Sequence, residues 1–240
     1  KIDKQELIEE IKQYALIFKN NFDLQALDSE LPSESSMDRI NAIIFGLENT
    51  TIIPYILFIL KNVTDVNEQK GIFGFLESYL LRRMVCHSNT KNYNSLFSES
   101  LINNEILTHR DLKEYIQNRS ADNNYLPIDD ELERGFNHSR LVNKQATGIL
   151  YFIESKLRNR SLHSTAMLGL KSYSLEHVMP KKWENNWPAV ASQKEKDLRN
   201  YALMTLGNLT IIPSSLNSSI TEVSPSLVFN FKSSVFSLRS

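Results

Sequence analysis

Cysteine is nearly missing from this chain: of 240 residues only Cys86 carries a thiol. That excludes a disulfide framework and a cysteine-rich zinc site. Long apolar runs are missing as well, and none approaches the roughly 20 residues a helix needs to cross a bilayer, which excludes a helical membrane protein. No internal repeat and no low-complexity tract interrupts the chain. An excess of one charge sign is also lacking. The 27 Lys and Arg stand against 28 Asp and Glu, a formal net charge of −1 at pH 7, so a uniformly basic nucleic-acid binder is not indicated. What is present is ordinary globular material, 41% hydrophobic and 23% charged, long enough for one large domain or two smaller ones. These totals predict a reduced, cytoplasmic protein without stating its task.

The near-neutral total hides an asymmetry. Residues 1–134 hold 14 basic and 22 acidic side chains, a net of −8, and residues 135–240 hold 13 and 6, a net of +7. The chain also opens at Lys1 inside a helical pattern, with no initiator Met and no signal-peptide pattern. The expectation is a piece of a longer protein whose N-terminal part shares the function.

Apolar periodicity predicts helices through the first two-thirds. Leu7, Ile8, Ile11, Ala15 and Phe18 recur at spacings of three and four. Ser36 is placed to cap a helix from Met37 through Leu47. Ile52–Val63 reads as a buried helix, with Pro54 in a tolerated first turn. Phe73, Leu76, Tyr79, Leu80 and Met84 make another stripe, and Leu96–Leu107, Leu112–Asn118 and Asn143–Arg158 continue the pattern. Residues 120–130 read as a surface loop. Tyr173–Met179 then looks extended, Gln193–Leu203 reads as a charged helix, and Leu209–Ile212 as a short β-branched strand between Gly207 and Pro213. Ser214 or Ser215 opens a last short helix. The fold expected is mainly α: a helical domain over 1–165, then a small strand–strand–helix module over 166–240.

The chemistry-bearing residues all fall in that module. Ser174-Leu175-Glu176-His177-Val178-Met179-Pro180 is followed by Gly207-Asn208-Leu209-Thr210, and Asn217 comes nine residues after Asn208. Adjacent residues of a strand point to opposite sides, but a bend at the strand end can aim Glu176 and His177 at one site. A carboxylate, an imidazole and a neutral amide suit metal-assisted phosphodiester hydrolysis. Glu176 and Asn217 would hold a hard divalent cation through oxygen, and His177 would take a proton from the attacking water.

These three spaced motifs resemble the HNH (ββα-metal) nuclease module of GmrSD-type modification-dependent restriction proteins, whose relatives include the SspE-type antiphage effectors. Upstream, Tyr79-Leu80-Leu81-Arg82-Arg83 through Lys91-x-Tyr93-Asn94-x-x-Phe97 resembles the helical region preceding that module. The resemblance implies an HNH-type DNA endonuclease of a prokaryotic restriction or antiphage system. His177 is its general base, with Glu176 and Asn217 holding Mg²⁺ or Mn²⁺. Asn208 joins the catalytic set as the residue that holds the loop and orients the histidine. The partners implied are DNA, modified or of phage origin, and an N-terminal ParB/sulfiredoxin-like nucleotide-hydrolysing domain. One site per chain cuts one strand, so a double-strand break calls for two events or a dimer. Family members commonly continue after the third motif with a second Asn and an aromatic–acidic–Lys segment. Here residues 221–230 intervene, and Phe231-Lys232 resembles its end.

Each residue also has a plainer reading. His177 could be a buried histidine satisfied by backbone, Glu176 a surface carboxylate, Asn208 a turn residue after glycine, and Asn217 part of a capped helix. Lys181, Lys182, Lys194, Lys196 and Arg199, extended by Lys156, Arg158, Arg160 and Lys232, form a candidate DNA-binding surface, although such runs are usually solvated charge. Trp183 and Trp187 suit core or rim packing better than base stacking. The remaining histidines lack ligand spacing, and Cys86 reads as a small buried residue. Arg82-Arg83 reads as an ion-paired element of the helical domain or a contact to the absent N-terminal domain. The competing function is a non-catalytic DNA-binding or regulatory module serving that domain, and a third is a helical scaffold.

Overall fold

The computed structural model describes residues 3–119, 124–158, 166–185 and 187–221. The acidic part is helical. Helix α1 (Lys4–Asn21) is capped by Asp3 and lies along α3, with Lys61 bonded to Glu10 at 2.8 Å and seated over the Tyr14 ring. The periodic face predicted there forms but buries no residue: Leu7, Ile8, Ile11 and Phe18 stay exposed.

Ser36 caps α2 (Met37–Asn41) as expected, and the chain continues in a π-type turn over Ala42–Gly46. Pro54 sits in the first turn of α3 (Ile53–Asn62), where its missing N–H costs nothing. Asp65 caps the long α4 (Val66–Val85). The next helical run comprises α5 (Tyr93–Ser95), a π-type turn and α6 (Leu101–Asn103). It stops short of the predicted Leu107, at a turn where Glu105 takes a positive φ of 49°. Thr108 then caps α7 (His109–Gln117).

Helix α8 (Asp129–His138) begins inside the predicted 120–130 loop and extends eight residues past it. Asp129, Asp130 and Glu131 fill its first turn, where the helix dipole favours carboxylates. Glu131 also reaches back to accept from the Ile128 N–H at 3.0 Å. Helix α9 (Asn143–Leu157) follows.

Strand β1 (Tyr173–His177) and strand β2 (Leu209–Pro213) pair antiparallel, one residue to one, from Tyr173↔Pro213 to His177↔Leu209. Helix α10 (Gln193–Ala202) lies in the connection between them, and α11 (Ser214–Thr221) leaves β2 directly. The order strand, strand, helix is the one predicted, and the protein is mainly α.

Helix α9 is the wall shared by both halves. Its Tyr151 and Phe152 belong to the large core with Ile43, Tyr55, Leu76 and Phe97. Its Ala146 and Ile149 join Val85, Leu206 and Leu209 in a second cluster against which Leu175 packs. Arg82 and Arg83 of α4 are spent inside this body. Arg82 bonds Asp129 at 2.6 Å, while the buried Arg83 donates to the Tyr93 hydroxyl and to the carbonyls of Tyr125 and Asn89.

Candidate functional site

Alternation sorts the strand residues. Tyr173 and Leu175 pack toward α9, as do Ile211 opposite Leu175 and Leu209 opposite His177, and His177 shares their face. Ser174 and Glu176 take the opposite face. There α11 crosses, and the Asn217 Nδ2 donates to Ser174 Oγ at 3.0 Å. Because Ser174 and Glu176 are two residues apart on one strand, this bond brings Asn217 to the face that carries Glu176. Glu176 also accepts from the backbone N–H of His177 at 3.2 Å. Pairing is regular as far as His177, so the bend that could redirect its side chain lies after that residue, not within the strand. His177 is half-buried, with Nε2 shielded from bulk solvent.

Asn208 fastens that bend. Its backbone carbonyl accepts from Val178 N–H at 2.8 Å, extending the strand ladder by one rung. Its side-chain oxygen accepts from Met179 N–H at 2.8 Å, and its amide nitrogen donates to Met179 O at 3.1 Å and Leu203 O at 3.0 Å. The buried amide therefore ties the exit of β1, the end of α10 and the entry to β2 into one knot. Replacing it with a carboxylate of the same shape turns two donated bonds into oxygen–oxygen contacts. Asn208→Asp is expected to cost about 2–6 kcal/mol, since each of the two orphaned buried carbonyls costs about 1–3 kcal/mol. Urea unfolding of the two proteins measures it.

Trp183 is buried and donates Nε1 to Asn200 Oδ1 at 3.0 Å, the packing role anticipated for it. Arg199 stacks on that indole at 4.9 Å and donates to the Pro188 carbonyl at 2.8 Å, holding the connection against α10. Lys196 pairs with Glu184 at 3.5 Å. Lys156 pairs with Glu77, and Arg158 with Glu154, each at 3.4 Å. Lys181, Lys182 and Lys194 are exposed. Arg160 and Lys232 lie outside the described residues, as does the sequence between Asn217's helix and Lys232.

Cys86 is half-buried, and burial is the main cause pushing its thiol above the usual cysteine range, which does not suit a nucleophile at neutral pH. Among the described residues no group of three or more His, Cys, Asp or Glu converges as a metal site. A cation in this module would rest on one carboxylate, one amide oxygen and water, a donor set that fits Mg²⁺ or Mn²⁺ and not zinc. Ser174 draws Asn217 to the strand, a role that neither its residue type nor the motif spacing alone assigns. Its position two residues before Glu176 was the available signal.

Among the described residues no helix is long and apolar enough to cross a membrane. No curated protein and no solved structure matches the chain. Residues 126–227, which take in α8, α9, both strands, α10 and α11, match the family model of GmrSD restriction endonucleases, C-terminal domain, and this part of the chain is similar to that family.

Proposed function

We propose that this chain carries a metal-dependent DNA endonuclease site of the HNH (ββα-metal) kind, serving a prokaryotic restriction or antiphage system in the cytoplasm. The observation that carries the reading is the Asn217–Ser174 bond, which sets an amide from α11 on the strand face of Glu176 within a segment of restriction-endonuclease kinship. Residues 166–240 are assigned the chemistry and 1–165 the support.

His177 accepts a proton from water, and the hydroxide so formed attacks the phosphorus. The bond from phosphorus to the leaving sugar oxygen breaks, and that oxygen takes a proton from solvent. A divalent cation held by Glu176 and Asn217 would supply stabilisation of the charge on the leaving oxygen. Asn208 acts as a positioning residue: it fixes the backbone directly after His177. Lys181 and Lys182 hold the DNA backbone as point charges. Modified or phage DNA and an N-terminal nucleotide-hydrolysing domain complete the assignment.

Mn²⁺ titration followed by calorimetry tests the ligand set apart from turnover. One ion per chain is expected, with affinity reduced more than tenfold in Glu176→Ala and in Asn217→Ala. Unchanged binding in both variants overturns the assigned ligands.

A further inference from the structure

Helix α10 is amphipathic in composition yet buries no residue. It turns Leu198 and Tyr201 to solvent, and Met204 follows just beyond its end. Tyr201 is not bare. The Arg140 guanidinium lies 4.9 Å over its ring and donates to its carbonyl at 3.4 Å, and the His138 ring sits 5.9 Å away, with Nδ1 3.4 Å from the Tyr201 hydroxyl. An arginine held over an exposed aromatic ring is pre-oriented, and its planar fork matches a phosphate.

Charge favours a polyanion here. Arg140 is exposed, with no carboxylate at salt-bridge distance among the described residues. Three of the four acidic residues of α8 lie in its first turn, at the far end of that helix from His138, and the fourth, Glu133, stands five residues before His138. Asp197, one turn before Tyr201 on α10, accepts from Gln193 at 2.8 Å. Location favours DNA. Two residues past Tyr201, the Leu203 carbonyl is held by Asn208, the same side chain that fastens the bend after His177. The seam between α8 and α10 is thus rigidly joined to the proposed cutting site.

We propose that Arg140, Tyr201 and His138 form a second, sequence-independent grip on the DNA backbone, flanking the cut phosphate. It rests on the nuclease reading above. Arg140 supplies the phosphate contact, and Tyr201 with His138 holds Arg140 in place and packs against sugar.

Binding of a duplex oligonucleotide of about 20 base pairs, in EDTA and at salt between 50 and 200 mM, tests it. For Arg140→Gln, the slope of log affinity against log salt is expected to fall by about 0.9, the value for one lost phosphate contact. The affinity loss should be the same for unrelated sequences. Arg140→Lys keeps the slope, and Tyr201→Phe keeps the affinity while Tyr201→Ala loses it. With metal, Arg140→Gln raises KM for nicking and leaves kcat unchanged. A normal slope and affinity in Arg140→Gln and in Tyr201→Ala, in a chain that still binds and cuts DNA, overturns this grip alone and leaves the nuclease reading standing. A seam that instead retains a protein when DNA binding is unaffected overturns it equally. A wild-type chain that neither binds nor cuts DNA overturns both.

Discussion

His177→Ala is expected to lower single-turnover nicking of supercoiled plasmid by about 10²–10⁴-fold, the usual contribution of a positioned general base. The substitution removes a half-buried side chain from the last residue of a two-stranded ladder, leaving the backbone pairing to Leu209 and the Asn208 knot in place. Melting temperature and affinity for DNA should therefore stay close to wild type, which separates a lost proton acceptor from a lost fold. His177→Gln keeps hydrogen-bonding capacity but cannot take the proton, and it should be as slow as the alanine variant. A loss smaller than about tenfold in both variants would remove His177 from the chemistry.

The second large effect lies in the helical body. Arg39 and Glu77 form a buried two-toothed pair, Nε to Oε2 at 2.6 Å and Nη2 to Oε1 at 2.9 Å. Their side chains are 1% and 5% exposed. Arg39 also donates to Pro32 O at 2.7 Å and Ser155 Oγ at 2.8 Å, and its guanidinium lies over the Phe152 ring. One side chain of α2 thus joins α4, α9 and the 31–36 turn. Arg39→Ala strands a buried carboxylate whose remaining cationic partner is Lys156 at 3.4 Å. A loss of about 3–5 kcal/mol follows, a large share of a typical domain's stability of about 5–15 kcal/mol. The double replacement Arg39→Met/Glu77→Leu should recover most of it, since the desolvation penalty disappears with the charges. Chemical denaturation measures both, and a single variant within 1 kcal/mol of wild type contradicts the account of this pair.

Local pattern carried most of the helices. Ser36 as a cap, Pro54 in a first turn and the β-branched stretch between Gly207 and Pro213 are each decided by neighbours in the chain, and all three stand in the structure. Helix α8 escaped because its apolar residues are few, although Asp129, Asp130 and Glu131 mark a first turn. The apolar face of α1 was legible, but its burial was not, because burial depends on what lies opposite.

Long-range geometry explains the other departures. Arg199 reads as a free cation until Trp183, sixteen residues earlier, is seen under it. The Arg39–Glu77 pair spans 38 residues and leaves no trace in a charge count. Asn208 was the reverse case: glycine before it suggested a turn, and the turn exists because the asparagine's amide is used up in holding it.

Metal-dependent strand scission is the most direct measurement. Supercoiled plasmid incubated with the wild-type chain and Mg²⁺ or Mn²⁺ should yield nicked circles before any linear product, because one site per chain cuts one strand at a time. The same incubation with EDTA should yield none. An intact plasmid at saturating metal, or equal nicking with EDTA, would contradict a divalent-metal nuclease built on Glu176, His177 and Asn217.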